Sequence, residues 1–315
     1  MESSLKAISL KRLALALLLA CLLSATVQAG DVRVVIIASQ DAAPYQELAN
    51  GFRQHLESQA GSVSFETYSL QGSAAKVSDL FPAIKNKSPQ LLLTIGTLAT
   101  QAALKELPDI PLVAGLVVDP DNLLKGGRAT GIGVEFPLEI QLQWLQRIVP
   151  GAGTIGALYN PKENRARIEA ATKIARNMGL KLVSREVETP RALPDALDSL
   201  GKDADILWGL SDQVVLSPQT AEPILLFSMQ HRLPLSGLTT SWTKAGALYS
   251  LDRDYADLGA QCGELALKIL GGAKAGALQP VPPRKVVYSL NLKTADHMKI
   301  DVPQAIIEGA KHVFR

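Results

Sequence analysis

A regular alternation constrains this chain most: short apolar runs, each ending at a polar or glycine-bearing corner, are followed by longer segments of helical period. In the first half the runs fall at residues 32–38, 63–68, 91–95 and 111–118, with helical patterns at 44–58, 73–87 and 98–107. The second half repeats the scheme, with strands starting at Thr154, Lys181, Asp205 and Leu233 and helices starting at Pro161, Ala192 and Pro218. Continuous apolar runs, as opposed to alternating ones, predict strands buried on both faces, so the expected class is α/β with two Rossmann-like, doubly wound parallel sheets. "LLLTIGTLATQAAL" and "TIGALYNPKENRARIEAA" read as counterparts, each a strand opening through a polar corner into a helix, and hint at an internal pseudo-repeat.

One corner shows how local chemistry sets such a unit. In "TIGALYNPKENRARIEAATKIARNMGLKL" the apolar run from Thr154 to Leu158 is preceded by Pro150, Gly151 and Gly153. Asn160 stands where an N-cap belongs, and Pro161 suits the first helical position, where its missing N–H is not needed. Ile168, Ala171, Thr172 and Ala175 then share one stripe, and the helix stops at Gly179. Ligands in open α/β sheets bind at the carboxyl ends of strands, the edge where Tyr159 and Asn160 stand.

Segment 136–149, opening at Pro137, is the expected crossover helix between the halves. Residues 254–270 form a further amphipathic helix, followed by the Gly/Ala/Pro-rich "GGAKAGALQPVPP", a strand at 285–290 and a short helix from Leu292. A tail that crosses back gives several connections between the lobes. The expected division is a leader at 1–29, a first lobe at 30–135 with about 252–279, and a second lobe at 136–251 with about 280–315.

Lys6, Lys11 and Arg12 precede an apolar stretch, 13–23, that ends near Val27, Gln28 and Ala29. This reads as a secretory signal peptide cleaved after Ala29, so the protein is expected in the periplasm. The alternative is a degenerate lipoprotein signal in which Cys21 carries the lipid. Cleavage takes away three of 32 basic and one of 30 acidic residues, leaving 29 of each. A neutral chain with no basic run argues against nucleic acid as a partner. Only Cys262 would remain, on a helical face with Leu258, Leu265 and Ile269, where it reads as a small buried apolar residue.

Enzyme templates fail in turn: the chain has no G-x-S-x-G, no Walker loop and no H-E-x-x-H. His55, His231, His297 and His312 are scattered without ligand-like spacing, so neither a metal nor a cofactor is expected. Gly127, Gly131 and Gly133 miss the dinucleotide spacing and read as a loop leading into a short strand. Asp119, Asp212 and Asp252 fall at expected strand ends, where capping or cleft hydrogen bonding is favoured over paired-carboxylate catalysis. Trp144, Trp208 and Trp242 read as packing residues.

Taken in order, "LLLTIGTLATQAALKELPDIPLVAGLVVDP", "TGIGVEFPLEIQLQWLQRIVPGAGTIGALYNP", "GALYSLDRDYADLGAQCGELALKILGGAKAG" and "SLNLKTADHMKIDVP" resemble the exported substrate-binding proteins of ABC transporters associated with tryptophan or tyrosine uptake. The resemblance implies a type I periplasmic binding protein fold: two Rossmann-like lobes, three crossover strands and a ligand held between the lobes. The corners that match are Ser39, Gln40, Gly96, Thr97, Val118 and Asp119 on the first lobe, and Tyr159, Asn160, Ser211, Asp212 and Thr239 on the second. Helix-start N–H groups after Gly96 and Thr97 would hold a carboxylate, Asp212 or Asp119 would pair with an ammonium, and Tyr159 would stack on a planar side chain, so that an α-amino acid would satisfy the set. "WGLSDQVVLSP" departs from the small-residue corner usual in such proteins, as does "IIASQDAAPYQEL". The implied partner is the membrane permease of an ABC transporter, with the protein acting as a monomer. The competing reading is a periplasmic sensor that presents its closed form to a membrane receptor or sensor kinase. A secreted hydrolase would need a nucleophile that is not found, and repressors built on the same lobes carry a helix-turn-helix where this chain carries a leader.

Overall fold

A computed structural model describes residues 32–125, 127–217 and 219–315. The expected leader, Cys21 included, lies outside the described residues. Five parallel strands, β1 (Val32–Ala38), β2 (Val63–Ser69), β3 (Leu91–Ile95), β4 (Leu112–Val117) and β5 (Ala129–Gly133), make one sheet in the order β2-β1-β3-β4-β5. The second sheet takes β6 (Thr154–Tyr159), β7 (Lys181–Glu186), β8 (Ile206–Trp208), β9 (Leu235–Gly237), β10 (Tyr249–Arg253), β11 (Val286–Asn291) and β12 (His312–Phe314) in the order β7-β6-β8-β9-β10-β11-β12. Its first five strands repeat the order of the other sheet, so the pseudo-repeat suggested by the two corner sequences is present as topology.

Side-chain parity explains why the runs are apolar throughout. On β1, Val34, Ile36 and Ala38 join one core cluster with the helices Ala43–Gln59 and Tyr255–Leu270, while Val35 and Ile37 join another under Val77–Asn86 and Thr97–Glu106. On β6, Ile155, Ala157 and Tyr159 meet the helices Leu138–Ile148 and Pro161–Asn177, while Leu158 faces the opposite cluster. Each sheet is thus covered on both faces, and alternation along each strand divides its side chains between two cores.

The tail binds the two halves. Tyr255–Leu270 leaves the second sheet after β10 and crosses to the first lobe, where it lies against Ala43–Gln59. The crossing is close because it is made of glycines: a Cβ on Gly51 would sit 2.1 Å from the Ala256 carbonyl oxygen, and one on Gly259 would sit 2.1 Å from that of Leu48. Cys262, fully buried in this interface, is the small apolar residue the sequence suggested, and burial pushes its thiol pKa well up, which keeps it protonated.

The returning chain corrects one expectation. β11 runs antiparallel to β10, so the second sheet is not parallel throughout. β10 ends at the cleft edge, the chain detours through the first lobe and re-enters at that same edge, so the next strand must run back the other way. Smaller differences are local. The segment from Ser73 begins as a 3-10 turn, Ala74–Lys76, before the helix Val77–Asn86, and the helix expected from Pro218 is Ala221–His231. The short elements Thr240–Ala245, Gln304–Glu308 and β12 carry too few residues to show a period. Among the described residues no helix is long and apolar enough to cross a membrane.

The helix crossing yields a prediction of unusual sign. Alanine normally favours a helix interior over glycine by about 1 kcal/mol. Gly259→Ala should nevertheless lower the thermal unfolding midpoint, because the methyl group meets backbone that cannot step aside; a raised midpoint in circular dichroism melts would contradict the close crossing.

Candidate functional site

Three chain segments pass between the lobes side by side, and their residues also border the cleft. The first follows β5 through Val134, Glu135 and Phe136; the second is Arg253 and Asp254; the third runs from Val281 to Lys285. Ile132 bridges to Val281, with Val281 N–H donating to the Gly131 carbonyl at 3.0 Å. Arg253 Nε donates to the Val134 carbonyl, and its guanidinium lies 5.5 Å from the centre of the Phe136 ring. Asp254 pairs with Lys285 at 2.6 Å, and Arg284 reaches Asp257 and Glu264 at 2.8 Å each. Every segment is thus tied to both others.

Above these segments lies an open groove of about 910 Å³, walled by Val117–Asp121 and Val134 on one side and by Asn164, Arg167, Ser211 and Asp212 on the other. A second hollow of about 510 Å³ lies against the first lobe, lined by Ser39, Gln40, Tyr45, Gly96, Thr97 and, from the second crossover, Arg253 and Tyr255. A smaller cavity of about 80 Å³ lies against the second lobe between Glu135, Gln141, Arg167, Trp208 and Arg253. Arg253 borders both the smaller cavity and the first-lobe hollow, so these are parts of one inter-lobe site.

The first-lobe corners are built by backbone geometry. Gly96 adopts φ +90°, and a Cβ there would stand 2.6 Å from Ser39 Oγ. That hydroxyl is occupied: it accepts from the Ala99 N–H at 2.9 Å and so caps the helix Thr97–Glu106. Thr97 Oγ1 accepts from the Val118 N–H at 3.3 Å, tying the corner after β3 to the corner after β4. Leu116 and Asp119 both take positive φ, 54° and 48°, on either side of exposed Val118. Strained backbone of this kind persists where surrounding structure enforces it, and it clusters at ligand-binding edges. Asp119 accepts from Asn122 Nδ2 and lines the groove. Tyr255, in the hollow, donates its hydroxyl to Asp252 Oδ1 at 2.8 Å; burial, and then the nearby carboxylate, push its phenol pKa up to about 12.

The second-lobe corners differ from the expectation. Tyr159 shares the parity of Ile155 and Ala157, so its ring is buried in the core and its hydroxyl is committed to Glu186 at 2.9 Å, leaving no face to stack on a ligand. Asn160 is the N-cap its position implied: Oδ1 accepts from Lys162 N–H at 3.1 Å and Nδ2 donates to Glu163 at 2.9 Å. Asp212 is buried, and both its oxygens are filled. Oδ2 accepts from Asn160 N–H at 2.6 Å and Asn164 Nδ2 at 3.0 Å, and Oδ1 from the N–H groups of Val214 and Val215 at 2.8 and 2.9 Å. This carboxylate clips the loop after β8 to the helix start after β6 and has no oxygen left for an ammonium. Ser211 is exposed in the groove, whereas Thr239 caps nothing with its side chain and lies on the exposed surface before Thr240–Ala245.

The residues that do wall this side, Glu135, Gln141, Arg167, Trp208 and Arg253, were not among those the sequence pointed to as ligand contacts. Arg167 is ion-paired with Glu135 and lies 6.0 Å from the centre of the Trp208 ring, whose Nε1–H donates to Gln141 at 3.3 Å. Arg167 sits in the middle of a helix and Arg253 at the end of a strand, positions that carry no motif.

Two α/β lobes, three clipped crossovers and an open cleft define a two-lobed protein with a cleft between its sheets. The chain belongs to the ABC transporter substrate binding protein family, whose model matches residues 31–314. A tyrosine-binding protein of Clostridioides difficile (strain R20291) is 26% identical over 223 residues, 67% of this chain and 64% of that protein, so this chain spans just under two thirds of that relative's length. Among solved structures, the ligand-free, open form of a substrate binding protein with adhesive properties from Clostridium difficile superposes with a TM-score of 0.76 at 20% identity, covering 90% of this chain and 99% of the other. An ABC domain in complex with L-Trp from Streptococcus pneumonia gives 0.61 at 20% identity, with 90% and 100% covered.

The two corner residues can be separated experimentally. Loss of a helix N-cap costs about 1 kcal/mol, whereas each buried donor left without its acceptor costs about 1–3 kcal/mol. Asp212→Ala should therefore lower the unfolding midpoint several times further than Asn160→Ala; equal, small effects would show that the Asp212 clip contributes little.

Proposed function

We propose that this chain is the extracytoplasmic solute-binding component of an ABC-type uptake system and that it holds a small metabolite, an amino acid, in the cleft between its lobes. It carries out no chemistry on that ligand. The observation that carries the reading is the groove itself: its walls come from both lobes and its floor is made of the crossovers, so a ligand lying in it touches both bodies and the hinge at once. Family membership supports the transport role, and the tyrosine-binding relative supports an amino acid as cargo.

On this reading the bodies that close are residues 30–135 with about 252–279 and residues 136–251 with about 280–315. Gln40, Thr97, Asp119 and Ser211 supply direct polar contacts, while Ser39, Gly96 and Asp212 hold the corners in shape. A ligand bridging the lobes favours the closed arrangement by its differential affinity for it, and the closed surface is what a membrane permease reads. The protein works outside the cytoplasmic membrane as a monomer, after removal of its leader.

A thermal-shift screen against amino acids, small peptides, nucleosides and organic acids tests the proposal. A ligand at a hundred times its Kd stabilises the native state by about 2.7 kcal/mol. At least one amino acid should raise the midpoint by several degrees. Shifts confined to nucleosides or peptides, or no shift with any compound, would overturn the amino-acid reading.

A further inference from the structure

The second-lobe cavity is bordered by two guanidinium groups, each set over an aromatic ring. Arg167 lies 6.0 Å from the Trp208 ring centre and Arg253 lies 5.5 Å from that of Phe136. Both are mostly enclosed, their side chains 20% and 23% exposed. An arginine over a ring keeps its N–H groups directed outward along its edges, in the planar fork that matches a carboxylate.

The donors in this cavity outnumber the acceptors that serve them. Arg167 is paired through one terminal nitrogen with Glu135, and its buried Nε has no hydrogen-bond partner. Arg253 spends Nε on the Val134 carbonyl, and one terminal nitrogen lies 3.8 Å from Asp252 Oδ1. That same oxygen already accepts from the Arg253 N–H and the Tyr255 hydroxyl, both at 2.8 Å. Within the lining itself two cations face one anion, Glu135. Asp252, outside the lining, counters Arg253 only from 3.8 Å and through an oxygen already shared, so a half-enclosed site with a weakly countered guanidinium and an orphaned donor favours an anion. The rest of the wall, Trp208, Phe136 and Leu251, suits an apolar or planar body next to that anion.

We infer that the ligand enters carboxylate first, with its carboxylate held by Arg167 and Arg253 on the second-lobe side of the cleft and not by the helix start after Gly96 and Thr97. Glu135, freed from its sole claim on Arg167, then faces the ligand's ammonium. The inference deepens the amino-acid reading and rests on it for the ammonium alone; the carboxylate site stands on the arginines. It also assigns Arg253 two tasks, since the same guanidinium that meets the ligand ties the second crossover to the first.

Calorimetric titration of the purified protein tests this, using L-tryptophan and L-tyrosine beside their analogues that lack one charge: indole-3-propionate and 3-(4-hydroxyphenyl)propionate without the amine, tryptamine and tyramine without the carboxylate. The acids should bind within about tenfold of the parent amino acid, and the amines should lose about thirtyfold or more. Arg167→Met and Arg253→Met should each lose a similar factor for the acids while binding the amines no more weakly than the native protein does. Where a variant fails to fold, Arg167→Lys and Arg253→Lys, which keep the charge but lose the planar fork, take its place, with a loss for the acids again expected. Amines that bind as tightly as the amino acids, or folded arginine variants with unchanged affinity for the acids, overturn the inference while leaving the amino-acid reading intact. Binding of the acids without the amino acids overturns the amino-acid reading, and its loss in the arginine variants upholds the carboxylate site. Absence of binding by every probe overturns both.

Discussion

The structure turns on the guanidinium of Arg253. It donates to the Val134 carbonyl, lies over the Phe136 ring and borders both the first-lobe hollow and the second-lobe cavity. Two sheets of the same strand order would otherwise be independent bodies on a string. Because Arg253 joins the second crossover to the first, Lys285 joins the third to the second and Arg284 joins the third to the helix that follows, the three segments behave as one strap. A strap of extended segments bends with small changes of φ and ψ, which is what a hinge between rigid lobes requires.

The lobes themselves are held by cores on both faces of each sheet, and the tail couples them. The helix Tyr255–Leu270 belongs to the first lobe by contact although it follows a strand of the second, and Gly51 and Gly259 allow it to approach Ala43–Gln59 at backbone distance. The chain therefore passes between lobes three times, and each passage contributes residues to the cleft. The cleft lining and the hinge contacts are drawn from the same short segments, so on the proposed reading occupancy of the cleft bears directly on the hinge.

Much of this was legible in the sequence, and the physical reasons mark where legibility ended. Apolar runs without alternation could only be strands covered on both faces, and Asn160 and Pro161 announced a helix start that the structure shows in place. The repeated order of strands followed from two like series of strand and helix. The side chains at strand ends were harder to read. Tyr159 sits at the right edge, but counting by two from Ile155 puts it in the core under Leu138–Ile148 and Pro161–Asn177, where Glu186 takes its hydroxyl. Asp212 looked like a partner for an ammonium because type and position matched, yet four donors from its own loop and the neighbouring helix already fill it. Arg167 and Arg253 gave no local signal, since what makes them a pair is the meeting of a helix and a crossover across the cleft. The reversal of β11 was likewise hidden, because it depends on where the returning chain re-enters the sheet.

On the proposed reading the ligand is the bridge between the two tied lobes. Small-angle X-ray scattering, with and without the amino acid or carboxylate that titration shows to bind, tests this most directly. Closure predicts a smaller radius of gyration and a shortened maximum dimension at saturation, both lost in Arg253→Met. An unchanged scattering profile with the cleft saturated would contradict the account.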